Sequence, residues 1–135
     1  DMLVYEADKR LSKTITSWGP EAIIPIPLYK KKKLKRGFNQ AELLAEKYSR
    51  ATGIPADNGI LFRKKETSPQ KGLDKRMRSR NIKGAFEVKG YPDLPYKKIL
   101  LVDDIYTSRA TICEAARVLR ESGAEKIYFM TFSIG

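Results

Sequence analysis

The sequence predicts an α/β fold with a central parallel sheet flanked by helices, and three observations carry that expectation. Lys98 to Asp103 reads as a strand whose interior, Ile99 to Val102, is apolar on both faces, as in a buried parallel strand. Thr111 to Glu121 follows with helical periodicity, Ile112, Ala115, Ala116 and Leu119 forming one stripe, and Gly123 stops it. Lys126 to Ser133 is a further strand, so strand, helix and strand in that order imply a parallel crossover.

The remaining elements follow along the chain. Leu11, Ile15 and Trp18 recur at helical spacing, and Gly19 with Pro20 ends that short helix. Ala22 to Leu28 is a short apolar strand in which Pro25 and Pro27 remove backbone donors, which suits an edge or a strand end. The lysine run after it reads as a loop. Asn39 followed by Glu42 has the pattern of a capping box, so a helix is expected over Gln40 to Thr52, with Ala41, Leu44, Ala45 and Tyr48 on one face and Gly53 and Pro55 as the stop. Ile60 to Arg63 and Ala85 to Val88 read as strands on either side of a polar segment long enough to be a functional loop. Tyr91 to Tyr96 reads as a turn. No internal repeat is present.

Composition narrows the chemistry. The 135 residues suffice for one domain, and 41% hydrophobic with 32% charged residues is a globular balance. No apolar run approaches the roughly 20 residues that span a bilayer, so membrane insertion is not expected. With one cysteine, Cys113, and no histidine, the chain can form neither an intrachain disulfide nor a cysteine or histidine zinc site, and oxygen ligands point to Mg²⁺ for any metal. Cys113 is expected to pack within its helix, and a lone thiol without signal-peptide layout suits the cytoplasm. The net charge of +11 is concentrated: Lys30 to Arg36 carries +6 and Arg63 to Lys83 carries +7, so the rest of the chain is slightly acidic. Polyanions are therefore expected to meet the protein at two segments, although a solvated loop is the commonest fate of a lysine run.

Against that charge, two adjacent acids close the apolar strand. In open α/β sheets ligands bind beyond the carboxyl ends of the strands, where Asp103 and Asp104 fall. Two acceptor-only groups there suit a vicinal diol. Thr107, Ser108 and Thr111 lie in the turn that opens the next helix, where free N–H groups and the helix dipole favour a phosphate. Together they describe a site for a sugar 5′-phosphate. Spacing alone leaves a second reading open, in which the acids merely end a strand and Ser108 or Thr111 caps a structural helix.

VDDIYTSRAT, Val102 to Thr111, resembles the phosphoribosyl-pyrophosphate (PRPP) motif of type I phosphoribosyltransferases. With RGFNQAELLA, the preceding IPIPL and the later ETSPQKGLDKRMRSRNIKGAFEV, the chain resembles more narrowly the competence protein F (ComF) family, from about Ile23 to Gly135. The resemblance implies a Rossmann-like phosphoribosyltransferase domain over residues 1–135, with the family's usual cysteine-rich zinc module outside this chain. It implies that Asp103 and Asp104 take the ribose hydroxyls as catalytic residues, with Mg²⁺ held there through those hydroxyls. Thr107, Ser108, Arg109, Ala110 and Thr111 would cradle the 5′-phosphate. Leu28, Tyr29, Lys30 and Lys31 would form the pyrophosphate loop with Arg36 beside it, and residues 63–83 would occupy the place of the loop that closes over PRPP. Arg109 stands where the family usually has Gly, and would either strain or crowd the phosphate loop or reach the phosphate as a donor.

The family association with uptake of transforming DNA implies a second role for the basic segments: single-stranded DNA along Lys30, Lys31, Lys32, Lys33 and Lys35 and along Arg76, Arg78 and Arg80, with a competence helicase as partner. Tyr29, Phe38 and Phe62 are stacking candidates, although aromatic side chains more often bury their area. The expected function is a phosphoribosyltransferase-type enzyme of unassigned acceptor; the alternative is a non-enzymatic DNA-binding module with a vestigial PRPP site.

Overall fold

The structure, a computed structural model, describes residues 11–27, 39–64, 82–89, 93–104 and 109–132, excepting the side chains of Asp104 and Phe132. Residues 11–18 form α1, ended by Gly19 in the left-handed region at φ 68°, where its N–H donates to Thr16. Strand β1 (Ala22–Pro25) pairs in parallel with β4 (Lys98–Asp104), and β4 pairs in parallel with β5 (Lys126–Phe132), giving the order β1-β4-β5. The registers run from Ala22 opposite Ile99 to Pro25 opposite Val102, and from Lys98 opposite Lys126 to Asp104 opposite Phe132.

The prolines explain why β1 is short and lies where it does. Ile23 turns its backbone away from β4, donating to Pro55 and accepting from Asp57, and Pro25 falls on the same alternation. Its missing N–H therefore costs β4 no bond, and Ile26 still donates to Val102 at 3.0 Å.

Helix α2 (Gln40–Thr52) has the expected bounds. Asn39 caps it: Oδ1 accepts from the Ala41 N–H at 2.9 Å, and Nδ2 donates to the Ile26 carbonyl at 3.2 Å. One side chain thus fixes the helix start and ties it to the end of β1. Gly53 closes the helix at φ 79°. The strands expected around residues 60–63 and 85–88 form as β2 (Leu61–Arg63) and β3 (Phe86–Val88), but as a separate antiparallel ribbon rather than members of the central sheet, with Arg63 opposite Phe86.

Helix α3 (Arg109–Glu121) starts two residues before the expected point. Its buried face is Thr111, Glu114, Ala115, Val118 and Leu119, so the expected stripe is turned, and Ile112 and Ala116 are only partly buried. The turn brings Glu114 inward, where it finds polar partners. It also leaves Cys113 exposed, against the expectation that it packs.

Alternation along β4 divides the core in two. Leu100 and Val102 face Ile15, Ala45 and Tyr48 from α1 and α2. Ile99 and Leu101 face the ribbon and α3, where Leu61, Phe86, Ala115 and Leu119 are buried. Helices on both faces of a parallel sheet complete the α/β layering. No helix among the described residues is long and apolar enough to cross a membrane.

Candidate functional site

Asp103 lies near the carboxyl end of β4, on the middle strand of the sheet. Strand alternation sets it on the face of Ile99 and Leu101, beneath the ribbon. It is 5% exposed, and its Oδ2 is closed off from solvent. A carboxylate at that depth needs a cation or donors to remain ionised.

A cation that feels the field of this carboxylate lies on the ribbon. Arg63 ends β2 with its guanidinium 5.4 Å from the centroid of the Phe86 ring across the ribbon, and its Nε is also closed off from solvent. Burial lowers the Arg63 pKa from its ordinary value, and the field of the Asp103 carboxylate raises it back in part. A partly desolvated guanidinium and a buried carboxylate thus share one side of the sheet end.

Helix α3 supplies the adjoining wall. Arg109, its first residue, is exposed, Ala110 is half-buried and Thr111 is 3% exposed. Among the described residues no non-glycine adopts positive φ, so Arg109 sits in ordinary helical backbone and the strain expected of a side chain at this point does not arise. One turn on, buried Glu114 accepts from the Gly84 N–H at 3.2 Å and from Arg117, whose Nε lies 3.0 Å from Oε2 and whose Nη2 makes a closer contact with Oε1. Arg117 also reaches Glu121 at 2.6 Å. The Arg117 hydrogen bond holds the Glu114 carboxyl below its ordinary pKa against the opposing effect of burial, and the same bond raises the Arg117 guanidinium. Gly84 lies just before β3, so Glu114 fastens the ribbon to the helix that follows the two acids.

Arg63 and Glu114 were not among the residues singled out in the sequence. Their signals were a base closing an otherwise apolar strand, Leu61 to Arg63, and an acid set at i+3 from Thr111 and i−4 from Val118 on one helical face. Phe62, expected to pack, is 39% exposed on the outer side of the ribbon opposite Glu87. At the other end of β4, the Tyr96 hydroxyl donates to Asp57 Oδ2 at 2.9 Å, and burial followed by that carboxylate raises the tyrosine pKa.

The other site candidates lie outside the described residues: Leu28, Tyr29, Lys30, Lys31, Lys32, Lys33, Lys35 and Arg36, then Arg76, Arg78 and Arg80, and Thr107 with Ser108. The Asp104 backbone is the last residue of β4. Among the described residues no group of three or more carboxylate, thiol or imidazole side chains is gathered as a metal site. A cation beside Asp103 would take most of its ligands from elsewhere.

No protein-family model matches the chain. It is 40% identical to competence protein F of Haemophilus influenzae over 126 residues, 93% of this chain and 55% of that protein. It is 34% identical to the DNA utilization protein YhgH of Escherichia coli K12 over 80% of this chain and 47% of that protein. With competence protein ComFC of Bacillus subtilis it shares 38% identity over 75% of this chain and 39% of that one. The chain thus spans about half the length, or less, of the curated relatives it matches. Among solved structures, the B. subtilis glutamine PRPP amidotransferase complexed with ADP and GMP superposes with a TM-score of 0.54 at 20% identity, covering 93% of this chain and 26% of that one. A second, described as the allosteric regulatory enzyme of purine biosynthesis, gives 0.52 at 19% identity over 93% of this chain and 25% of that one.

Proposed function

We propose, for a chain that belongs to the competence protein F (ComF) family and carries the type I phosphoribosyltransferase fold, a site that binds PRPP at the carboxyl end of β4 and serves a protein of DNA uptake. The observation that carries the reading is the depth of Asp103. A nearly buried carboxylate on the middle strand, followed a few residues later in the sequence by a helix with a buried threonine in its first turn, suits a ligand that brings hydroxyls to the acid and an anion to the helix. A carboxylate has about four acceptor positions, so pairing with a guanidinium leaves room for the ribose hydroxyls.

Asp103 and Asp104 would orient the ribose through its diol, Thr107 to Thr111 would hold the 5′-phosphate, and Leu28 to Lys31, with the neighbouring lysines and Arg36, would supply positive charge to the pyrophosphate. Mg²⁺ would be held through the ribose hydroxyls that the two acids orient, with phosphate oxygens and water completing its shell. When bound, the ion supplies charge neutralisation for the departing pyrophosphate. The reaction class is transfer of the phosphoribosyl group: the bond from the anomeric carbon to pyrophosphate breaks, and a bond to an acceptor nucleophile forms. Titration calorimetry with PRPP and Mg²⁺ tests the site. Binding should be lost in Asp103→Ala plus Asp104→Ala, and unchanged affinity in that variant, with an unchanged melting curve, removes the sugar site.

A non-enzymatic reading, in which the domain binds single-stranded DNA, is favoured by exposed Phe62 on the ribbon that flanks the basic 63–83 segment. Its mark is affinity for an oligonucleotide that weakens steeply with salt and falls when Lys30 to Lys33 become Ser. Affinity indifferent to salt counts against it.

A further inference from the structure

We propose that Arg63 is a positioning residue for the sugar site, acting through Asp103; this deepens the PRPP reading above and rests on it. Three features of the structure converge on the pairing. Arg63 ends β2 at the register position opposite Phe86, and the Phe86 side chain is buried in the same cluster as Ile99 and Leu101. Asp103 continues the Ile99 and Leu101 alternation by one more step, which brings the acid to the side where the guanidinium lies over the aromatic ring. Polar atoms of both groups, Arg63 Nε and Asp103 Oδ2, are closed off from solvent. The mutual field of the two charges agrees with this arrangement.

The division of labour follows from the chemistry of the two side chains. A planar guanidinium held over a ring is restrained in orientation, so it offers its donors in a preferred direction. A carboxylate facing it is held ionised and oriented, presenting its remaining lone pairs to a hydroxyl. A lone buried acid would instead gain a proton and become a donor itself, poorly suited to accept from a diol. Arg63 touches neither the sugar nor the pyrophosphate in this scheme. It also stands at the first root of the basic 63–83 segment, while Glu114 holds Gly84 at the second. The sugar site and the ribbon are thereby one construction.

The test compares Arg63→Met, which keeps the apolar stem and removes the charge, with Arg63→Lys, which keeps the charge. Titrants are Mg²⁺ with ribose 5-phosphate and Mg²⁺ with inorganic pyrophosphate, and melting curves report folding. Arg63→Met should weaken ribose 5-phosphate by about tenfold or more, a difference of roughly 1.4 kcal/mol. Pyrophosphate, which does not use the diol acid, should bind within about twofold of the parent, a split that general damage to the fold would not produce. Arg63→Lys should recover most of the lost affinity. If Arg63→Met does not fold, Arg63→Lys decides: the proposal requires it to fold and bind ribose 5-phosphate near the parent value, and weak binding by a folded Arg63→Lys overturns it. Asp103→Asn separates the two layers. Parent-like ribose 5-phosphate binding in Asp103→Asn defeats the sugar-site reading itself. Loss there with parent-like binding in Arg63→Met defeats only the role of Arg63.

Discussion

The two faces of β4 solve different problems with the same backbone. On one, Leu100 and Val102 meet Ile15, Ala45 and Tyr48 in a hydrophobic cluster. On the other, Ile99 and Leu101 begin an apolar stripe that ends in Asp103, with Arg63 and Glu114 set among Phe86, Ala115 and Val118. A buried charge stabilises a fold poorly unless its partners are exact in place, so the second face spends packing on polar chemistry that the first does without. The difference teaches how one strand divides its labour: the first face packs the sheet against its helices, and the second gathers charges beside the strand end, where the proposed site lies.

That contrast can be broken by substitution. The largest effect is expected at Leu100→Ala, where a fully buried side chain leaves a cavity and costs about 2–5 kcal/mol in urea unfolding. PRPP affinity of the folded fraction should stay at the parent value, and a loss of affinity there would show that the apolar face also shapes the site. Glu114→Gln should cost less, roughly 1–2 kcal/mol at neutral pH, because it removes the charge facing a half-exposed Arg117 while keeping an oxygen for Gly84. Since the Glu114 pKa is held below its ordinary 4.5, this contribution is fully present above about pH 4.5 and is lost as pH falls through the folded value. Parent and variant stabilities should therefore converge in acid; a gap constant with pH would assign Glu114 to packing alone. Smallest is Asn39→Ala, at about 1 kcal/mol, read as earlier thermal melting with unchanged ligand affinity. A larger loss would mean that the link to Ile26 carries more than the cap.

Local rules sufficed where an element's ends and its buried face were decided by near neighbours. The α2 bounds follow from Asn39 and Gly53, a side-chain acceptor at one end and a left-handed glycine at the other, both within a few residues of the bonds they make. The crossover from β4 through α3 to β5 was legible for the same reason, since an uninterrupted apolar strand and a periodic helix constrain each other. The stripe of α3 was not. Hydrophobicity favoured Ile112 and Ala116, whereas the folded helix turns Glu114 inward because the Gly84 N–H, thirty residues earlier in sequence, stands ready to donate.

The site divides along the same line. That two acids close an apolar strand, that hydroxyl residues cluster between them and the next helical stripe, and that positive charge gathers in two segments are properties of the chain as written, because they depend on residue type and spacing. That β2 and β3 leave the sheet to form a ribbon over Asp103, that Arg63 comes to lie across from Phe86, and that Arg109 rests in helical backbone are decided in three dimensions. The physical reason is the range of the forces involved. Caps, strand alternation and helical period act over a few residues, whereas desolvation of a charge is set by everything the fold brings around it, and a sequence lists residues without saying which of them will exclude the water.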